Sequence, residues 1–329
     1  MTHPAVVLFE GEALPEVLPA CDHYAGTVQR MRKALALQHQ LGAVFDITFD
    51  CEDGAPLGDE YAHAESIAAL INSADNLFNR VGVRVHDSAH AAFANDLSVL
   101  VKQAGARMAY LTLPKVHSAV EVINSIEKIN HIARSAGIHR LIPIHVLIET
   151  HGALHEVFEI AALSQVACLS FGLMDFISAH QGAIPASAMD SPAQFEHPLI
   201  VRAMLNIAAA CHAYGKVASH NVSTQIAHPE VAGADALRAR EQFAYTRKWS
   251  IHPNQIQPIV NAFAPGTHEV AHASTVLLAA AHAQWGPIQY EGKLYDRASY
   301  RYYWIILQRA QKSGIALPDK ALAYFHPIH

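Results

Sequence analysis

The chain has 329 residues and a formal net charge of −6; 51% of its residues are hydrophobic and 16% are charged. This composition allows a large buried core and suits one barrel-sized domain with an extension. The acidic balance and the lack of a basic stripe exclude a general nucleic-acid-binding protein.

A cytoplasmic protein is expected from the beginning of the chain and from its cysteines. The first twenty residues contain no Lys, no Arg and no long apolar run, unlike a signal peptide. No stretch has the length and apolar character of a membrane span. The cysteines lie far apart without a CxxC pair, which predicts reduced thiols and no zinc site: Cys21, Cys51, Cys168 and Cys211.

Short apolar runs alternate with longer segments of helical periodicity along the chain. The predicted strands are, in chain order, residues 5–9, 43–53, 81–86, 106–115, 141–150, 166–176, 216–223 and 248–253. Helical stretches lie between them, and three end in Gly105, Gly137 and Gly215. Eight strands with crossovers predict an α/β protein with a closed (β/α)8 TIM barrel. An open doubly wound sheet is the alternative, but no glycine-rich phosphate loop follows the first strand.

Two further helical stretches follow the eighth strand and flank a turn-rich segment, residues 286–297. We therefore predict a barrel catalytic domain over residues 1–265 and a C-terminal helical extension over residues 266–329. The aromatic run YRYYWII, residues 300–306, favours a subunit interface and hence a homo-oligomer. An amphipathic helix docked on its own barrel is the open alternative.

Charged side chains and histidines stand at the ends of the predicted strands, where barrel enzymes place their catalytic groups. They are Asp50, Glu52, Asp53, Arg84, His86, Lys115, Glu149, Asp175 and His252. Glu149 and Asp175 end adjacent strands, so both carboxylates should face the same mouth. Two bare carboxylates repel each other, and a hard divalent cation relieves this. Mg²⁺ suits such a small set of oxygen ligands, with Mn²⁺ as a substitute.

The other charged residues at the mouth leave alternatives open. Asp50, Glu52 and Asp53 are candidates for holding metal-bound waters. A metal-free mouth would instead pair Glu149 and Asp175 with cations in a ring of salt bridges. Lys115 is a further catalytic candidate, because a barrel lysine can form a Schiff base with a carbonyl substrate. The many acids around it favour an ion-paired amine.

These segments resemble the citrate lyase beta-subunit and malyl-CoA lyase family, within the HpcH/HpaI aldolase superfamily. The resemblance covers residues 43 to 312 approximately. Its segments are FDCEDGAP (D-x-E-D-A-V in the family), VRVH (V-R-x-N), LTLPKVHSAVEV, LIETHGAL (the metal-binding I-E-T), SFGLMDF, GKLYD and KWSIHPNQIQPIVNAFAP. The last segment matches most closely. Their shared order makes a chance match improbable.

The resemblance implies reversible cleavage of a 3-hydroxy acid or its CoA thioester into a 2-oxo acid and an acyl fragment. It implies Glu149 and Asp175 as Mg²⁺ ligands and Arg84 as the cation facing the oxo acid's carboxylate. Asp296, in GKLYD, would act as acid/base in a neighbouring subunit, and the oligomer would be a trimer or a multiple of it. A malyl-CoA-type thioesterase and a lyase subunit acting on an acyl-carrier protein are the alternatives.

Several positions depart from the family's pattern. AVVLFEG stands where R-S-x-L-F-x-P is expected, and His86 replaces the Asn of V-R-x-N. E-T-A-x-G is shortened, which places His151 beside Glu149. Two acids expected after the seventh strand are His220 and Gln225. We expect His86 and His151 to contact the substrate and alter its choice.

Overall fold

The computed structural model describes residues 3–12 and 14–325, and a closed barrel of eight parallel strands lies at its centre. The strands follow one another in chain order around the barrel, and the last pairs with the first. The predicted (β/α)8 TIM barrel is therefore confirmed. The strands are β1 Cys21–Ala25, β2 Phe45–Asp50, β3 Val81–Arg84, β4 Leu111–Leu113, β5 Ile144–Ile148, β6 Val166–Phe171, β7 Val217–His220 and β8 Arg247–Ser250.

Helices cover the outside of the barrel and bury apolar faces against the strands; the short helix Pro4–Leu8 is an exception, because Leu8 packs in the cluster of the C-terminal extension. Thr27 and Ser118 cap two of them by accepting a backbone N–H with the side-chain hydroxyl. No helix within the described residues has the length and apolar character needed to cross a membrane. The helices are α1 Pro4–Leu8, α2 Val28–Leu41, α3 Glu60–Asn72, α4 Phe93–Ala104, α5 Ala119–Ser135, α6 His151–His155, α7 Val157–Ala162, α8 Leu173–Ser178, α9 Pro198–Ala213, α10 Pro229–Phe243 and α11 Pro253–Phe263.

The first barrel strand lies elsewhere than predicted. The strand predicted at residues 5–9 is wrong, because these residues form most of α1. The barrel begins with β1 instead, in which Asp22 and His23 are buried. Polar residues buried in a strand remove the apolar pattern by which strands are recognised in a sequence. The segment AVVLFEG is therefore not the first barrel strand. Its departure from the family's R-S-x-L-F-x-P pattern says nothing about that strand.

The N-terminal ends of the strands enclose four buried or half-buried charged residues, which we call the floor network: Asp22, Asp46, Arg80 and Arg247. Arg247 Nη1 lies 2.6 Å from Asp46 Oδ2, and its Nη2 lies 3.0 Å from Asp22 Oδ2. Arg80 Nη2 lies 2.5 Å from Asp46 Oδ1. Two carboxylates thus meet two guanidinium groups, and the network balances in charge.

The C-terminal extension packs with the beginning of the chain. Leu8 and Phe9 share its hydrophobic cluster, which is separate from the barrel core. Tyr300 and Trp304 are buried in that cluster, whereas Tyr302 is 56% exposed. The extension consists of α12 Thr267–His282, β9 Ile288–Tyr290, β10 Lys293–Tyr295, α13 Arg297–Lys312 and α14 Asp319–Leu322.

The division into residues 1–265 and 266–329 stays a prediction, as does the subunit interface. The buried aromatic residues of α13 pack within the cluster of the extension, which is separate from the barrel core, so docking of this helix on its own barrel also stays a prediction. Residues 1, 2, 13 and 326–329 of the two predicted domains lie outside the described residues. The four cysteines are free and buried.

Candidate active site

Two carboxylates lie together at the C-terminal mouth of the barrel. Glu149 follows β5 directly and is 3% exposed, and Asp175 lies in α8, which follows β6. Glu149 Oε1 accepts a hydrogen bond of 2.6 Å from the backbone N–H of Lys115. Burial, and then the negative charge of Asp175, raise the pKa of Glu149 to about 8. The two carboxylates therefore meet at the mouth as predicted, but the prediction that Asp175 ends a strand is wrong, because β6 ends at Phe171.

Within the described residues, neither carboxylate forms a salt bridge. The alternative in which they pair with cations in a ring of salt bridges is not what the structure shows. Gly172 lets α8 approach closely, because a Cβ there would lie 2.2 Å from Glu149 Oε2. Two buried or half-buried carboxylates without a salt-bridge partner in the described residues suit a divalent cation that takes its other ligands from water or substrate.

The type of cation also follows from the available donors. The described residues contain no group of three or more His, Cys, Asp or Glu side chains arranged for a metal. Zinc sites in proteins take three or four such ligands, usually with nitrogen or sulfur among them. Mg²⁺ is often held by one or two carboxylates and keeps several waters. Glu149 and Asp175 therefore fit Mg²⁺ better than Zn²⁺.

Arg84 ends β3 and is held by two neighbouring acids. Its Nε and Nη2 donate to Asp50 at 2.7 and 2.6 Å, and its Nη1 lies 2.9 Å from Glu52 Oε2. Asp50 also accepts the backbone N–H groups of Glu52 and Gly54 at 3.0 and 2.9 Å. Burial alone would raise the pKa of Asp50, but Arg84 and these hydrogen bonds hold it below its ordinary value. The guanidinium is thus fixed in one orientation.

Lys115 follows β4 and is ion-paired. Its Nζ contacts Glu52 and lies 3.2 Å from both carboxylate oxygens of Asp53. Partial burial would lower the pKa of Lys115, but hydrogen bonds to Glu52 and Asp53 and their charges raise it. Its backbone φ of 50° is uncommon for a residue other than glycine. A protonated amine of this kind is a poor nucleophile.

A cavity of about 260 Å³ opens beside Arg84 and the carboxylate pair, and we call it the first cavity. Tyr24 and Trp249 form an aromatic wall, with ring centroids 4.4 Å apart. The Arg84 guanidinium carbon lies 5.3 Å from the Tyr24 ring centroid. Sequence reasoning missed this wall. Tyr24 lies in β1, which was missed because the first strand was predicted at residues 5–9. Trp249 belongs to the matched KWSIHP segment, but no function was predicted for it.

A second cavity of about 410 Å³ borders the same two carboxylates. His151 lines it beside Glu149, as its place in the sequence predicts. His117 and Lys115 line it as well, and His117 was not predicted. Both cavities share Glu149 and Asp175, so a bound molecule could extend from one into the other.

Two other predicted residues lie away from these cavities. His86 lines neither of the two; its Nδ1 lies 2.7 Å from Asp96 Oδ2, and its ring stacks on His90 at 4.2 Å. Asp296 caps α13 and lines neither cavity of its own chain. His220, one of the replaced acids, is buried in β7 next to the Lys248 amine at 3.1 Å. Substrate contact by His86 and a role for Asp296 in a neighbouring subunit stay predictions.

The C-terminal mouth of this TIM barrel holds several acids, two of which have no salt-bridge partner in the described residues. Enzymes with this fold place their active sites at the same end of the barrel. The family model described as HpcH/HpaI aldolase/citrate lyase matches residues 33–253. The L-malyl-CoA/beta-methylmalyl-CoA lyase of Cereibacter sphaeroides (strain ATCC 17025 / ATH 2.4.3) is 27% identical over 302 residues, covering 85% of this chain and 92% of the relative.

Two solved structures extend the comparison. A citrate lyase from Burkholderia xenovorans LB400 is 54% identical, with a TM-score of 0.83 and coverage of 99% of this chain and 100% of that one. Protein CitE from Mycobacterium tuberculosis, in complex with magnesium, acetoacetate and coenzyme A, is 22% identical, with a TM-score of 0.64 and coverage of 90% and 99%. At that identity the second likeness concerns the fold alone.

The chain therefore belongs to the HpcH/HpaI aldolase/citrate lyase family. It is a carbon–carbon lyase by this membership, and the resemblance recognised in its sequence is confirmed.

Proposed function

We propose that this chain is an Mg²⁺-dependent lyase that cleaves or forms a 3-hydroxyacyl-CoA, with a 2-oxo acid and an acyl-CoA as the fragments. The observation that carries the proposal is the pair Glu149 and Asp175, which has no cationic partner in the described residues and lines a cavity with Arg84. Relatives that are lyases of malyl-CoA and beta-methylmalyl-CoA support this substrate class.

The cation would be held by Glu149 and Asp175. When bound, it supplies Lewis-acid polarisation of the substrate's carbonyl group. Asp50, Glu52 and Asp53 lie at the same mouth and are the proposed partners of metal-bound waters; each Asp50 oxygen already accepts two hydrogen bonds, so free lone pairs are left mainly on Glu52 and Asp53. Mn²⁺ offers the same preference for oxygen ligands and is expected to substitute.

Arg84 supplies a fixed positive charge in the first cavity. Asp50 accepts hydrogen bonds from Nε and Nη2, and Glu52 forms an ion pair with Nη1, so Nη1 and Nη2 each keep an N–H for a ligand. A guanidinium oriented in advance stabilises negative charge on a substrate carboxylate or oxyanion without reorganising during the reaction. We infer that this is its role toward the 2-oxo acid.

Lys115 acts through its charge in this proposal. Its ammonium is bound by Glu52 and Asp53, and its raised pKa keeps it protonated. This favours an electrostatic role over a Schiff base. Borohydride trapping of a 2-oxo acid on Lys115 would instead establish the covalent alternative.

Asp296 is the proposed acid/base, acting in the active site of a neighbouring subunit. It lies at the end of the β9–β10 hairpin and lines neither cavity of its own chain. Mixing Asp296→Ala subunits with Glu149→Ala subunits should restore part of the activity if the two act in different chains. No recovery after demonstrated subunit exchange would contradict this assignment.

The function is tested with a panel of 3-hydroxyacyl-CoA esters and 4-hydroxy-2-oxo acids in the presence of Mg²⁺. The lyase proposal predicts release of a 2-oxo acid together with an acyl fragment. Release of CoA and the intact hydroxy acid, without a 2-oxo acid, would identify a thioesterase. Turnover of a free CoA ester would count against a subunit that requires an acyl-carrier protein.

A further inference from the structure

A buried polar network lies behind the first cavity, and the proposed reaction does not use it. Lys248 is part of this network and lies on the face of β8 opposite to Arg247 and Trp249, since neighbouring residues of a strand point to opposite faces. The network surrounds the end of β7, and we call it the β7 network. Its members are all buried: Gln194, His220, Asn221, Ser223, Asp235 and Lys248.

Lys248 is fully buried and lies between two uncharged acceptors. Its Nζ donates to the carbonyl of Asn221 and lies 3.1 Å from Nδ1 of His220. Burial lowers the pKa of Lys248 to about 8, although Asp235 opposes this shift, so the amine is mostly charged at pH 7. Burial, and then Lys248, lower the pKa of His220, which keeps that ring neutral and its Nδ1 able to accept. Within the described residues, Lys248 forms no salt bridge.

Asn221 connects the β7 network to the active site. It directly follows β7, and with Val222 it lines the first cavity. Its Nδ2 donates to Oε1 of Gln194 and to the carbonyl of Val222, both at 2.9 Å. Ser223 Oγ donates to Oδ2 of Asp235 at 2.5 Å, which ties the same loop to α10. This wall of the cavity is therefore supported from behind, through its backbone and its side chains.

We propose that Lys248 is a positioning residue of the active site, which fixes the backbone of Asn221 so that this wall of the first cavity meets the substrate. A charged N–H donor forms a stronger hydrogen bond with a carbonyl than a neutral donor does. Without the amine, that carbonyl and the ring of His220 would be buried without partners, and the loop would move to hydrate them. The effect on turnover rests on the proposed function, because that function places the substrate in the first cavity.

The kinetic test replaces the amine by an apolar group of similar length. The wall supplies no group to the reacting atoms, so its displacement should weaken the bound substrate and the transition state alike. On the Mg²⁺-saturated full-length protein at pH 7, Lys248→Met should raise the KM for malyl-CoA about tenfold and change kcat less than about threefold. Lys248→Gln keeps a shorter donor and should give an intermediate KM.

Lys216→Met is the matched control. Lys216 stands just before β7, at the other end of that strand, and lines neither cavity. Its Nζ donates to the carbonyls of Leu163 and Ser164 at 3.2 and 3.4 Å. This variant loses an amine that also holds backbone carbonyls, and it should keep the wild-type KM and kcat. Urea midpoints of all variants show which of them are folded, and Lys248→Gln replaces Lys248→Met if the latter does not fold.

A second measurement needs no substrate. Methyl NMR of valine-labelled protein follows Val222, which adjoins Asn221 in the wall of the first cavity. Lys248→Met should shift or split the Val222 signals, because the loop loses its fixed position. Lys216→Met should leave them unchanged.

Either a wild-type KM or unchanged Val222 signals in folded Lys248→Met protein would overturn the inference. A large fall in kcat at unchanged KM would also overturn it, because Lys248 would then act in the chemistry. If wild type does not cleave malyl-CoA, the proposed substrate is wrong, and the Val222 signals then decide whether Lys248 holds the wall.

Discussion

The two ends of the barrel use similar charged side chains in different proportions. At the floor network, Asp22 and Asp46 meet Arg80 and Arg247, so every carboxylate has a guanidinium partner. At the mouth, five acids lie near Arg84 and Lys115, and a third cation, the exposed Arg30, also lines the first cavity; the acids are Asp50, Glu52, Asp53, Glu149 and Asp175. Three of those acids bind Arg84 and Lys115, which leaves Glu149 and Asp175 without a salt-bridge partner in the described residues.

This difference distinguishes a structural network from a binding site. In a balanced buried network every charge has a partner of opposite sign. Removing one member leaves an unpaired charge in the interior. An uncompensated carboxylate pair costs free energy until a cation joins it, because burial and mutual repulsion both disfavour the ionised form. The mouth should therefore govern activity and the floor should govern stability.

The largest expected effect is at the mouth. Glu149→Gln removes one charge of the carboxylate pair, and turnover should fall about 1000-fold because cation binding and carbonyl polarisation are lost together. Without metal, the urea midpoint should stay the same or rise, since repulsion from Asp175 is relieved. Turnover and urea unfolding measured on the same preparation test both. A Glu149→Gln protein that is inactive only because it is unfolded would contradict the idea that the mouth governs activity and the floor governs stability.

The floor should show the reverse behaviour. Arg247→Met leaves Asp22 and Asp46 short of a partner, and the free energy of unfolding should fall by about 3–5 kcal/mol. Urea denaturation measures this loss. Adding Asp22→Asn and Asp46→Asn to Arg247→Met should recover part of it, because the one charge that then remains in the network, Arg80, is partly exposed to solvent. An Arg247→Met protein as stable as wild type would show that the network is not structural.

A smaller effect is expected at Glu52, which touches both mouth cations without belonging to the unpaired carboxylates. Glu52→Gln should lower turnover about 10- to 100-fold, as is usual for residues that support a metal site. Steady-state kinetics at saturating Mg²⁺ measure it. A loss as large as that of Glu149→Gln would mean that Glu52 itself binds the cation.

The smallest effect concerns pH and the floor. Burial, followed by the charges of Arg247 and Arg80, lowers the pKa of His145, which stacks on Tyr110 at 3.8 Å. The unfolded chain therefore binds a proton below about pH 6.5 that the folded chain does not, and stability falls as the pH falls. The contribution is at most about 1.4 kcal/mol per pH unit. Urea unfolding at pH 7, 6 and 5 should show a shallower decline in His145→Phe; equal slopes would exclude this role.

The mouth was largely predictable from the sequence and the floor was not. Glu149 directly follows the mostly apolar run LIPIHVLI, and in a parallel barrel such a position faces the mouth. Asp22 lies in β1, where apolar and polar residues do not alternate, so the first strand was predicted at residues 5–9 and Tyr24 was missed with β1. The floor pairs also join residues far apart in the chain, such as Asp46 and Arg247. No local pattern encodes a contact of that kind.

The lining of the second cavity was only partly predictable from the sequence. His151 could be singled out because it follows Glu149 in the sequence. His117 stands on another loop and gave no signal by itself, and only the fold brings it to the same cavity. His86 shows the opposite limit, since a position near a strand end did not bring its side chain to the lining of either cavity.

The most direct test of the central claim is a titration of metal-free protein with Mn²⁺, with the free ion followed by electron paramagnetic resonance. One site per chain is predicted in wild type and in a folded floor variant such as the Asp22→Asn, Asp46→Asn, Arg247→Met protein. Glu149→Gln should bind Mn²⁺ at least about tenfold more weakly. Unchanged affinity in Glu149→Gln, or full lyase turnover with no bound divalent cation, would contradict the account.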